Sequence, residues 1–492
     1  MQYVSTRGDN NAEKLTASET IVKGIADDGG LYVPESIPKA DVPPSELSGF
    51  NYNAHALWLL HHFLTDYTPA EMVYCVDSAY NAINFDTPEI APLVQMPDVS
   101  FLELYHGKTL AFKDMALSLL PHLMSTALKK TPNPKTQVIL TATSGDTGVS
   151  ALEGFKDIDG MKIIVFYPEN GVSVIQKQHM ITQTGNNVHV VGVKGNFDDA
   201  QSEVKRIFLD TQLKQQLATD GYEFTSANSI NTGRFIPQIV YYFYAYSQLV
   251  KSGMSSDEPV NFVVPTGNFG NILAGYYAKK MGLPINKLIC ASNENKVLFD
   301  YFDTGVFDSN RPFHLTTSPS MDILIPSNFE RLVHMVKPEN GLQERLVKLS
   351  AKEQFKLDVP ADFVGFYATE QEVQAAIKKV YSEHGYLIDP HTAVAHVAHQ
   401  KYNKSEKTVI VSTASPYKFA KTVMTSLDSK YQKYDDFALL EQMATLTNGL
   451  VPPQFADLKT REVRHNTTVE VNDMKDAVLK ILAGGGTAAF HQ

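Results

Sequence analysis

The sequence has little cysteine and no long apolar run, and both shortages narrow what the protein can be. Only Cys75 and Cys290 occur among its 492 residues. Two isolated cysteines fit a reducing compartment better than a disulfide framework, and we expect both to be inert core thiols. The longest apolar stretch, near residues 239–250, contains several tyrosines and is too short to cross a bilayer. The first residues lack the pattern of a signal peptide, so we expect a cytoplasmic protein.

Basic charge is also scarce. The chain carries 43 lysines and arginines against 54 acidic residues, which gives a formal net charge of −11. This balance argues against a general nucleic-acid binder but leaves room for local basic pockets. The tyrosine-rich segment 241–246 lacks the neighbouring basic residues that stacking on nucleic acid requires. We therefore expect a small-molecule ligand, no nucleic acid, no membrane, and a monomer or small homo-oligomer.

Strand and helix signals alternate through the middle of the chain. Short apolar strands that alternate with helices predict parallel sheets covered on both faces. The expected fold class is therefore α/β, with two lobes of mainly parallel sheet flanked by helices. The predicted strands span residues 137–142, 162–167, 188–193, 261–264, 288–292 and 408–412, and predicted helices span 149–155 and 271–281.

The two ends of the chain differ from this middle part. Apolar periodicity near the N-terminus predicts helices over residues 18–25, 54–63 and 70–85. Residues 295–345 are rich in Asn, Ser, Pro and Phe and indicate an insertion, and the C-terminal part contains the glycine run Gly484–Gly486. The predicted parts of the chain are a smaller N-terminal domain, a catalytic region and a C-terminal segment, over residues 1–92, 93–430 and 431–492.

One candidate functional loop spans residues 266–271, Thr-Gly-Asn-Phe-Gly-Asn, between a predicted strand and a predicted helix. Its glycines let backbone N–H groups approach an anion, and the helix N-terminus adds a favourable dipole. The loop has no lysine, and the chain contains no Walker motif. A plain tight turn explains this loop equally well when it is considered alone.

A second candidate loop spans residues 143–148, Thr-Ser-Gly-Asp-Thr-Gly, again between a strand and a helix. It offers hydroxyls and backbone donors to a carboxylate or a phosphate. The alternative is a helix cap in which Asp146 or Thr147 satisfies free N–H groups.

The third candidate loop, residues 106–114, places Lys113 among apolar neighbours. Burial of a lysine disfavours its charged form and lowers its pKa. A neutral amine can form a Schiff base and move protons. The alternative is that Lys113 extends to the surface at the start of a helix.

Together the three loops resemble the second fold type of pyridoxal-phosphate enzymes, which is the tryptophan synthase β-like fold. Further motifs along the chain narrow this resemblance, and in chain order the full set is Tyr3-Val-Ser-Thr-Arg-Gly8, Asp28-Gly-Gly-Leu-Tyr-Val-Pro34, Leu110-Ala-Phe-Lys-Asp114, Ser144-Gly-Asp-Thr-Gly148, Gly267-Asn-Phe-Gly-Asn271, Asp389-Pro-His-Thr-Ala393 and Ser412-Thr-Ala-Ser-Pro-Tyr-Lys-Phe419. With these motifs the chain resembles the threonine synthase family, in its longer fungal and bacterial branch.

The resemblance implies that pyridoxal 5′-phosphate is the cofactor and that Lys113 is both its covalent anchor and an acid–base group. Thr413 would hydrogen-bond the pyridine nitrogen, with Ser415 as a competing hydroxyl. The residues implied to bind the cofactor phosphate are Gly267, Asn268, Phe269, Gly270 and Asn271. The residues implied to hold the substrate α-carboxylate are Ser144, Gly145, Asp146 and Thr147. The candidates for the substrate phosphate are Asn231 and Arg234, with Lys108 as a weaker one.

The implied reaction converts O-phosphohomoserine and water to threonine and phosphate, by γ-elimination followed by addition of water at Cβ. Two alternatives stay open at this point. One is a related phospho-lyase that releases a 2-oxo acid, ammonia and phosphate. The other is a non-catalytic protein that binds phosphate or a metabolite.

A metal site is not expected. His391, His396 and His399 lie close together in sequence, but their spacing does not repeat the H-E-x-x-H pattern. No acidic ligand falls in register with them, and the family resemblance instead places residues 389–392 near the active site.

Overall fold

The computed structural model describes residues 1–8, 13–336 and 341–484. Most of the glycine run noted in the sequence, Gly485 and Gly486, lies outside the described residues.

Fifteen strands form within the described residues. They are β1 (Tyr3–Ser5), β2 (Tyr32–Pro34), β3 (Leu93–Gln95), β4 (Ser100–Glu103), β5 (Thr136–Ala142), β6 (Met161–Pro168), β7 (Val188–Lys194), β8 (Tyr222–Thr225), β9 (Val260–Pro265), β10 (Ile285–Ser292), β11 (Val306–Phe307), β12 (Phe355–Lys356), β13 (Phe363–Tyr367), β14 (Thr408–Ser412) and β15 (Thr468–Glu470).

Twenty-two α-helices form in the same described ranges, several of them a single turn long. They are α1 (Ala17–Lys23), α2 (Pro44–Leu47), α3 (Tyr52–Phe63), α4 (Pro69–Ala79), α5 (Asp114–Leu117), α6 (Leu120–Lys130), α7 (Asp146–Phe155), α8 (Val174–Ile181), α9 (Phe197–Leu209), α10 (Thr211–Thr219), α11 (Thr232–Phe235), α12 (Val240–Lys251), α13 (Gly270–Met281), α14 (Val297–Thr304), α15 (Phe329–Val336), α16 (Leu342–Ala351), α17 (Glu370–His384), α18 (Pro390–Tyr402), α19 (Ala420–Leu427), α20 (Asp436–Leu446), α21 (Pro453–Ala456) and α22 (Met474–Leu482).

The larger sheet, here called the first sheet, has six strands in the order β13-β10-β9-β14-β4-β3. All neighbours run parallel except β3, which pairs antiparallel with β4 at the edge. Alternate residues of β9 face opposite sides: Phe262 and Val264 belong to the core shared with α13, whereas Val263 packs with α18. Helices therefore cover both faces, as burial of a parallel sheet requires.

The second sheet has five parallel strands in the order β15-β7-β6-β5-β8. Ile139 of β5 faces the main core, while Val138 and Leu140 face a separate core that contains residues of α9 and α22. The C-terminal part of the chain thus supplies both an edge strand and a covering helix to this sheet.

The predicted α/β fold class is confirmed, since two mainly parallel sheets flanked by helices stand beside a smaller N-terminal part. All six predicted strands are present within a few residues of their expected bounds. The strands that sequence analysis missed are mostly two to four residues long or lie at an edge. Such strands carry too few residues to show a period.

The predicted helix over residues 70–85 is wrong at its C-terminal end, because α4 stops at Ala79. The Asn81 side-chain amide donates to the carbonyls of Asp77 and Ser78, and the Asn84 amide donates to the carbonyls of Ser78 and Ala79. Asparagine side chains that bond to backbone groups compete with continuation of a helix.

Both cysteines are buried free thiols, and burial raises the pKa of the Cys290 thiol to about 12. Within the described part of the chain, no helix is long and apolar enough to cross a membrane.

Candidate active site

The three candidate loops follow the carboxyl ends of strands β4, β5 and β9. In open parallel sheets, ligands bind at this edge. The loop that carries Lys113 follows β4 and is fixed against the segment after β14. Phe112 N–H donates to the carbonyl of Thr413 at 2.8 Å, and Ala111 forms a bridge with Ala414. Sequence elements about 300 residues apart are therefore joined at this point.

Lys113 is buried, with only 9% of its surface exposed. Its Nζ lies 3.8 Å from a carboxylate oxygen of Asp146, the first residue of α7. Burial lowers the pKa of Lys113 to about 8, although Asp146 acts in the opposite direction. This is the direction that its apolar sequence neighbours predict, and the surface alternative for Lys113 is wrong.

A second buried lysine, Lys418, shares Asp146 with Lys113. Its Nζ lies 2.9 Å from the other carboxylate oxygen of Asp146 and donates to the carbonyl of Thr109 at 2.6 Å. Burial favours a raised pKa for Asp146, but the two lysines outweigh it and hold the pKa well below its usual range. In the sequence Lys418 stands out only as part of a motif, because nothing in its local segment reveals a distant carboxylate.

The turn before Lys113 is held by Asp114. The Asp114 carboxylate accepts hydrogen bonds from the Thr109 backbone N–H at 2.8 Å and from the Thr109 hydroxyl at 2.6 Å. The Thr109 hydroxyl also lies 2.6 Å from that of Ser150 in α7. These bonds fix the backbone on both sides of Lys113, so its side chain starts from a defined position.

A charged cluster holds the start of the same loop. The ring of His106 lies between Asp86, 2.7 Å from Nδ1, and Glu103, 2.8 Å from Nε2. Burial favours a lower pKa for His106, but hydrogen bonds to the two carboxylates raise it to about 9. Glu103 also accepts a hydrogen bond from the Tyr386 hydroxyl. This ion-paired cluster ties the loop to the chain segment that precedes β3.

The loop after β9 forms a cradle of backbone donors. None of the N–H groups from Gly267 to Asn271 pairs with a described residue, and the side-chain Nδ2 of Asn271 is a buried donor that has no such partner either. A buried donor such as Nδ2 of Asn271 is costly unless a ligand satisfies it. A Cβ on Gly267 would lie only 2.4 Å from the carbonyl oxygen of Ser320, so a side chain does not fit there.

The cradle is held in shape by its own aromatic residue. Phe269 adopts a left-handed backbone conformation, with φ of +66°, at the N-cap of α13. Its ring is buried and contacts Phe302, Phe329 and Phe363. This packing offsets the cost of an unfavourable φ for a bulky residue. The Asn271 amide oxygen accepts hydrogen bonds from two tyrosine hydroxyls, which turns its NH₂ group toward the unsatisfied position.

The donors, the dipole of a 12-residue helix and the close-approach glycine together fit a phosphate group. Lys113 fits the aldehyde end of pyridoxal phosphate, since a lysine with a lowered pKa is the residue that bonds a carbonyl. The residues present therefore match that cofactor at both ends.

The cap of the helix after the loop over residues 143–148 differs from the one that the sequence predicts. The Thr143 hydroxyl oxygen accepts hydrogen bonds from the N–H groups of Gly145 and Gly148. The N-cap of α7 is Gly145, and neither Asp146 nor Thr147 caps it. The predicted capping residues are therefore wrong, and the preceding threonine performs that role.

This capping leaves donors free in the second loop. The backbone N–H groups of Ser144, Asp146 and Thr147 pair with no described residue. The Asp146 side chain cannot hold a substrate carboxylate, because it is itself an ionised carboxylate held by Lys113 and Lys418. Only its backbone N–H is suited to that role, so the predicted function of this loop is restricted to its N–H groups and hydroxyls.

The two hydroxyls that competed for the pyridine nitrogen have different surroundings. The Ser415 hydroxyl accepts a hydrogen bond from Tyr417 N–H and caps a 3₁₀ turn over residues 416–419. The Thr413 hydroxyl pairs with no described residue, and Thr413 lies directly after β14 beside the Lys113 loop. Thr413 is therefore the more available of the two.

The structure distinguishes the three candidate residues for binding the substrate phosphate by their burial and their partners. Arg234 is 4% exposed, donates from Nη1 to the carbonyl of Ala227, and forms no ion pair with a described carboxylate. Burial lowers its pKa to about 10. Lys108 instead lies at the surface and pairs with Glu153 at 3.4 Å.

Asn231 has no side-chain atom free for a ligand. Its amide NH₂ donates to the carbonyls of Ile21 and Ser226, and its oxygen accepts from Gly233 N–H at the start of α11. The predicted substrate contact of Asn231 is corrected to a structural role: it caps α11 and joins this loop to the N-terminal part of the chain.

The three histidines considered for a metal site do not share a common set of contacts. His391 pairs with Asp389 at 2.6 Å, and the rings of His396 and His399 lie 6.4 Å apart. In the described residues, no group of three or more metal-ligating side chains comes together.

Comparison with known protein families gives three matches along the chain. The model of pyridoxal-phosphate dependent enzymes matches two thirds of the chain, and two further models describe the threonine synthase N-terminus and C-terminus. The matched residues are 85–414, 2–80 and 392–478, respectively.

Individual relatives agree with these matches. The chain is 38% identical to threonine synthase of Pseudomonas aeruginosa, over 86% of this chain and 90% of the relative. It is 40% identical to human threonine synthase-like 1, over 87% of this chain. The chain spans about 60% of the length of the threonine synthase-like 1 relatives.

A crystal structure of pyridoxal-phosphate-bound threonine synthase from Brucella melitensis superposes with a TM-score of 0.85 at 35% identity, covering 99% of both chains. Its fold, the three family models and the high coverage of the bacterial relative agree with each other. The chain belongs to the threonine synthase family of pyridoxal-phosphate-dependent enzymes.

Proposed function

We propose that this chain is a threonine synthase, which converts O-phosphohomoserine and water to threonine and phosphate. The observation that carries the proposal is the pairing of two anion sites around one buried lysine. Donors of the 267–271 cradle are free for one phosphate, and the buried cation of Arg234 is free for another. A substrate that carries its own phosphate, in addition to that of the cofactor, requires both.

Lys113 would hold the cofactor covalently, and the residues of the cradle, Gly267 to Asn271, would hold its phosphate. Thr413 would bond its pyridine nitrogen, and a hydroxyl there does not force that nitrogen to stay protonated. When bound, pyridoxal phosphate supplies an electron-accepting ring that stabilises negative charge at the substrate Cα.

The substrate would be held at both of its charged ends. The free N–H groups of Ser144, Asp146 and Thr147, with Gly145 between them, would bind the α-carboxylate. Arg234 would bind the phosphate, because a buried guanidinium offers several fixed donors to an anion. Two anchors leave the carbon chain in one orientation, as positioned catalysis requires.

Lys113 would then move the protons. Its lowered pKa makes the neutral amine accessible near neutral pH, so it can remove the Cα proton of the substrate and return it at the end. Asp146 and Lys418 remain buried beside it and keep the local charge balanced.

A second candidate function is a phospho-lyase that eliminates phosphate and releases a 2-oxo acid and ammonia without adding water at Cβ. The relatives at 40% identity, which are named threonine synthase-like 1, are the reason to keep it. The two functions share the residues described above, so they differ in the fate of the product.

Product analysis tests both functions. The purified protein, loaded with pyridoxal phosphate, is incubated with O-phosphohomoserine, and phosphate, threonine, 2-oxobutyrate and ammonia are measured. Threonine equal in amount to the phosphate supports the proposed function. Equal 2-oxobutyrate and ammonia would establish the phospho-lyase instead, and absence of phosphate release would refute both.

We also propose the division into an N-terminal domain, a catalytic region and a C-terminal segment over residues 1–92, 93–430 and 431–492, and a cytoplasmic location. The contribution of β15 and α22 to the second sheet supports a C-terminal segment that packs on the catalytic region. The two reduced thiols are consistent with a reducing compartment.

A further inference from the structure

The segment that sequence analysis treated as part of an insertion contributes a residue to the active site. Ser320, in a 3₁₀ turn over residues 319–321, lies with its hydroxyl oxygen 3.5 Å from Nζ of Lys113. The carbonyl oxygen of the same residue lies against Gly267 of the cradle. Ser320 therefore contacts both the lysine and the phosphate cradle, the two ends at which the cofactor would be held.

The backbone of Ser320 is held by a histidine. Ser320 N–H donates to Nε2 of His391 at 3.2 Å, and Nδ1 of His391 lies 2.6 Å from a carboxylate oxygen of Asp389. Because an amide N–H only donates and a carboxylate only accepts, the two contacts assign the ring proton to Nδ1 of a neutral imidazole. The ring also packs edge-on against Phe419, next to Lys418.

The same turn is anchored on its other side by a buried carboxylate. Asp322 accepts hydrogen bonds from the side-chain amides of Asn293 and Asn295, which follow β10, and from the hydroxyl and backbone N–H of Thr316. The turn is thus fixed to the first sheet at one end and to the start of α18 through His391 at the other. A surface insertion would not need such anchoring.

We propose that Ser320 is a catalytic residue whose hydroxyl orients the Lys113 amine, and that His391 and Asp389 are positioning residues that keep this hydroxyl in place. The hydroxyl oxygen accepts a hydrogen bond from one N–H of Lys113. The other N–H bonds or the lone pair of the amine then point elsewhere in the site. The proposal rests on the proposed function, in which the freed Lys113 moves protons at the substrate.

The contact has a consequence for the cofactor-free protein that does not depend on turnover. A hydroxyl that accepts from the charged ammonium stabilises it, so removal of the hydroxyl lowers the pKa of Lys113 further. The charged groups that face Lys113, and that stay in place when Ser320 or His391 is changed, are Asp146, Lys418, Arg234 and Asp114.

The experiment compares Ser320→Ala with Ser320→Thr, which keeps a hydroxyl, and His391→Leu with His391→Gln, whose amide oxygen can still accept from Ser320 N–H. His396→Leu is the matched control, because His396 is a buried histidine of the same helix whose ring nitrogens have no partner among the described residues. Thermal melting of each variant establishes that it is folded.

Two quantities are measured. The first is the rate of acetylation of Lys113 by acetic anhydride against pH in the cofactor-free protein, followed by peptide mass spectrometry, with Lys129 as an internal reference. The second is phosphate release from O-phosphohomoserine by the loaded enzyme, separated into kcat and KM.

For Ser320→Ala we expect the pH midpoint of Lys113 acetylation to fall by about half a unit to one unit. We expect kcat to fall about 10- to 100-fold with KM changed by less than about threefold, because the contact acts on a proton-transfer group. Ser320→Thr should recover most of both effects. His391→Leu should shift both quantities in the same direction, His391→Gln should recover most of the loss, and His396→Leu should behave like wild type.

An unchanged midpoint together with an unchanged kcat in Ser320→Ala would overturn the role of Ser320. Equal behaviour of His391→Leu and His396→Leu would overturn the positioning role of His391. If the wild-type enzyme releases no phosphate, the proposed function fails, whereas the acetylation midpoints still decide whether Ser320 acts on Lys113.

Discussion

The two ends of the proposed cofactor site consist of different kinds of chemical groups. Around Lys113 the protein uses side-chain charge: Asp146 lies between two buried lysines, which together lower its pKa, while Asp146 and Lys418 act in opposite directions on the pKa of Lys113. Around the 267–271 cradle it uses almost no charge, only backbone N–H groups, one asparagine amide and a glycine that admits no side chain. The lysine end is defined by electrostatics and the cradle by shape.

This difference follows from the two tasks. A group that exchanges protons needs an adjustable pKa, which buried charges provide. A group that only holds a doubly charged phosphate needs fixed donors that do not titrate, which a helix N-terminus provides. The comparison predicts that changes of charge damage the lysine end, whereas changes of volume damage the cradle.

The largest expected effect comes from Lys113→Ala. Loss of the proposed covalent anchor and acid–base group should lower phosphate release at least about a thousandfold. The variant should also lose the absorbance band of a lysine-bound cofactor. Because the cradle is intact, it should still bind free pyridoxal phosphate, which equilibrium dialysis measures. Near-normal turnover would refute the assignment, and Lys129→Ala, a change in the exposed last turn of α6, is the control.

The next effect comes from Gly267→Ala. The added methyl would lie 2.4 Å from the Ser320 carbonyl, so the cradle has to open. We expect the affinity for pyridoxal phosphate to fall about 10- to 100-fold, while the pH midpoint of Lys113 acetylation moves by no more than the shift expected for Ser320→Ala, because the displaced carbonyl belongs to Ser320. Gly49→Ala is the matched control, since nothing lies within 4 Å of a Cβ at that position. An acetylation midpoint that moves further than it does in Ser320→Ala would remove the distinction between the two ends.

Lys418→Met tests the lysine end with an expected pKa shift of the opposite sign. Lys418 lowers the pKa of Lys113, so its removal should raise the acetylation midpoint above about 8, opposite to the shift expected for Ser320→Ala. Phosphate release near neutral pH should fall about tenfold, because less Lys113 is neutral there. Lys421→Met, in α19, is the control. A midpoint that stays the same or falls would show that the charge of Lys418 does not lower the pKa of Lys113.

The smallest effect concerns the charged cluster at the start of the Lys113 loop. The pKa of His106 is raised to about 9 in the folded protein, against an ordinary value of 6.5. The resulting stability is therefore fully present below pH 6.5 and is lost as the pH rises through 9. In urea denaturation, His106→Gln should cost about 1–3 kcal/mol at pH 6 and much less above pH 9. A cost independent of pH would mean that His106 acts by packing alone.

Local sequence patterns predict those features of the molecule that depend on residues close together in the chain. The central strands and the helix starts after the glycine loops depend on neighbours in sequence, whereas the lowered pKa of Lys113 comes mainly from its burial in the folded protein. Lys418 and Ser320 could not be found in this way, because their importance comes from contacts with residues 109, 146 and 113, hundreds of positions away. The predicted ligand contact of Asn231 is wrong for the opposite reason. Its side-chain amide has the chemistry to bind a ligand, but its hydrogen bonds are made within the fold.

The segment over residues 295–345 shows the same limit of local sequence patterns. The 295–345 segment was predicted as an insertion from its composition, yet Asp322 and His391 fix its turn beside Lys113. Composition reports how a segment differs from the rest of the chain, and only packing shows where the segment goes. The resemblance to a known family compensated for this by joining motifs that no local pattern connects.

The sheet order also sets when the site can form during synthesis. Strands β5 to β8 of the second sheet lie within residues 136–225 and can pair while the rest of the chain is still being made. The first sheet must wait for β14, which pairs with both β4 and β9, and Thr413 and Ala414 directly after it hold the Lys113 turn. A nascent chain that ends before residue 413 therefore lacks the contacts by which Thr413 and Ala414 hold the Lys113 turn. We therefore expect the proposed capture of the cofactor at Lys113 to require a nearly complete chain.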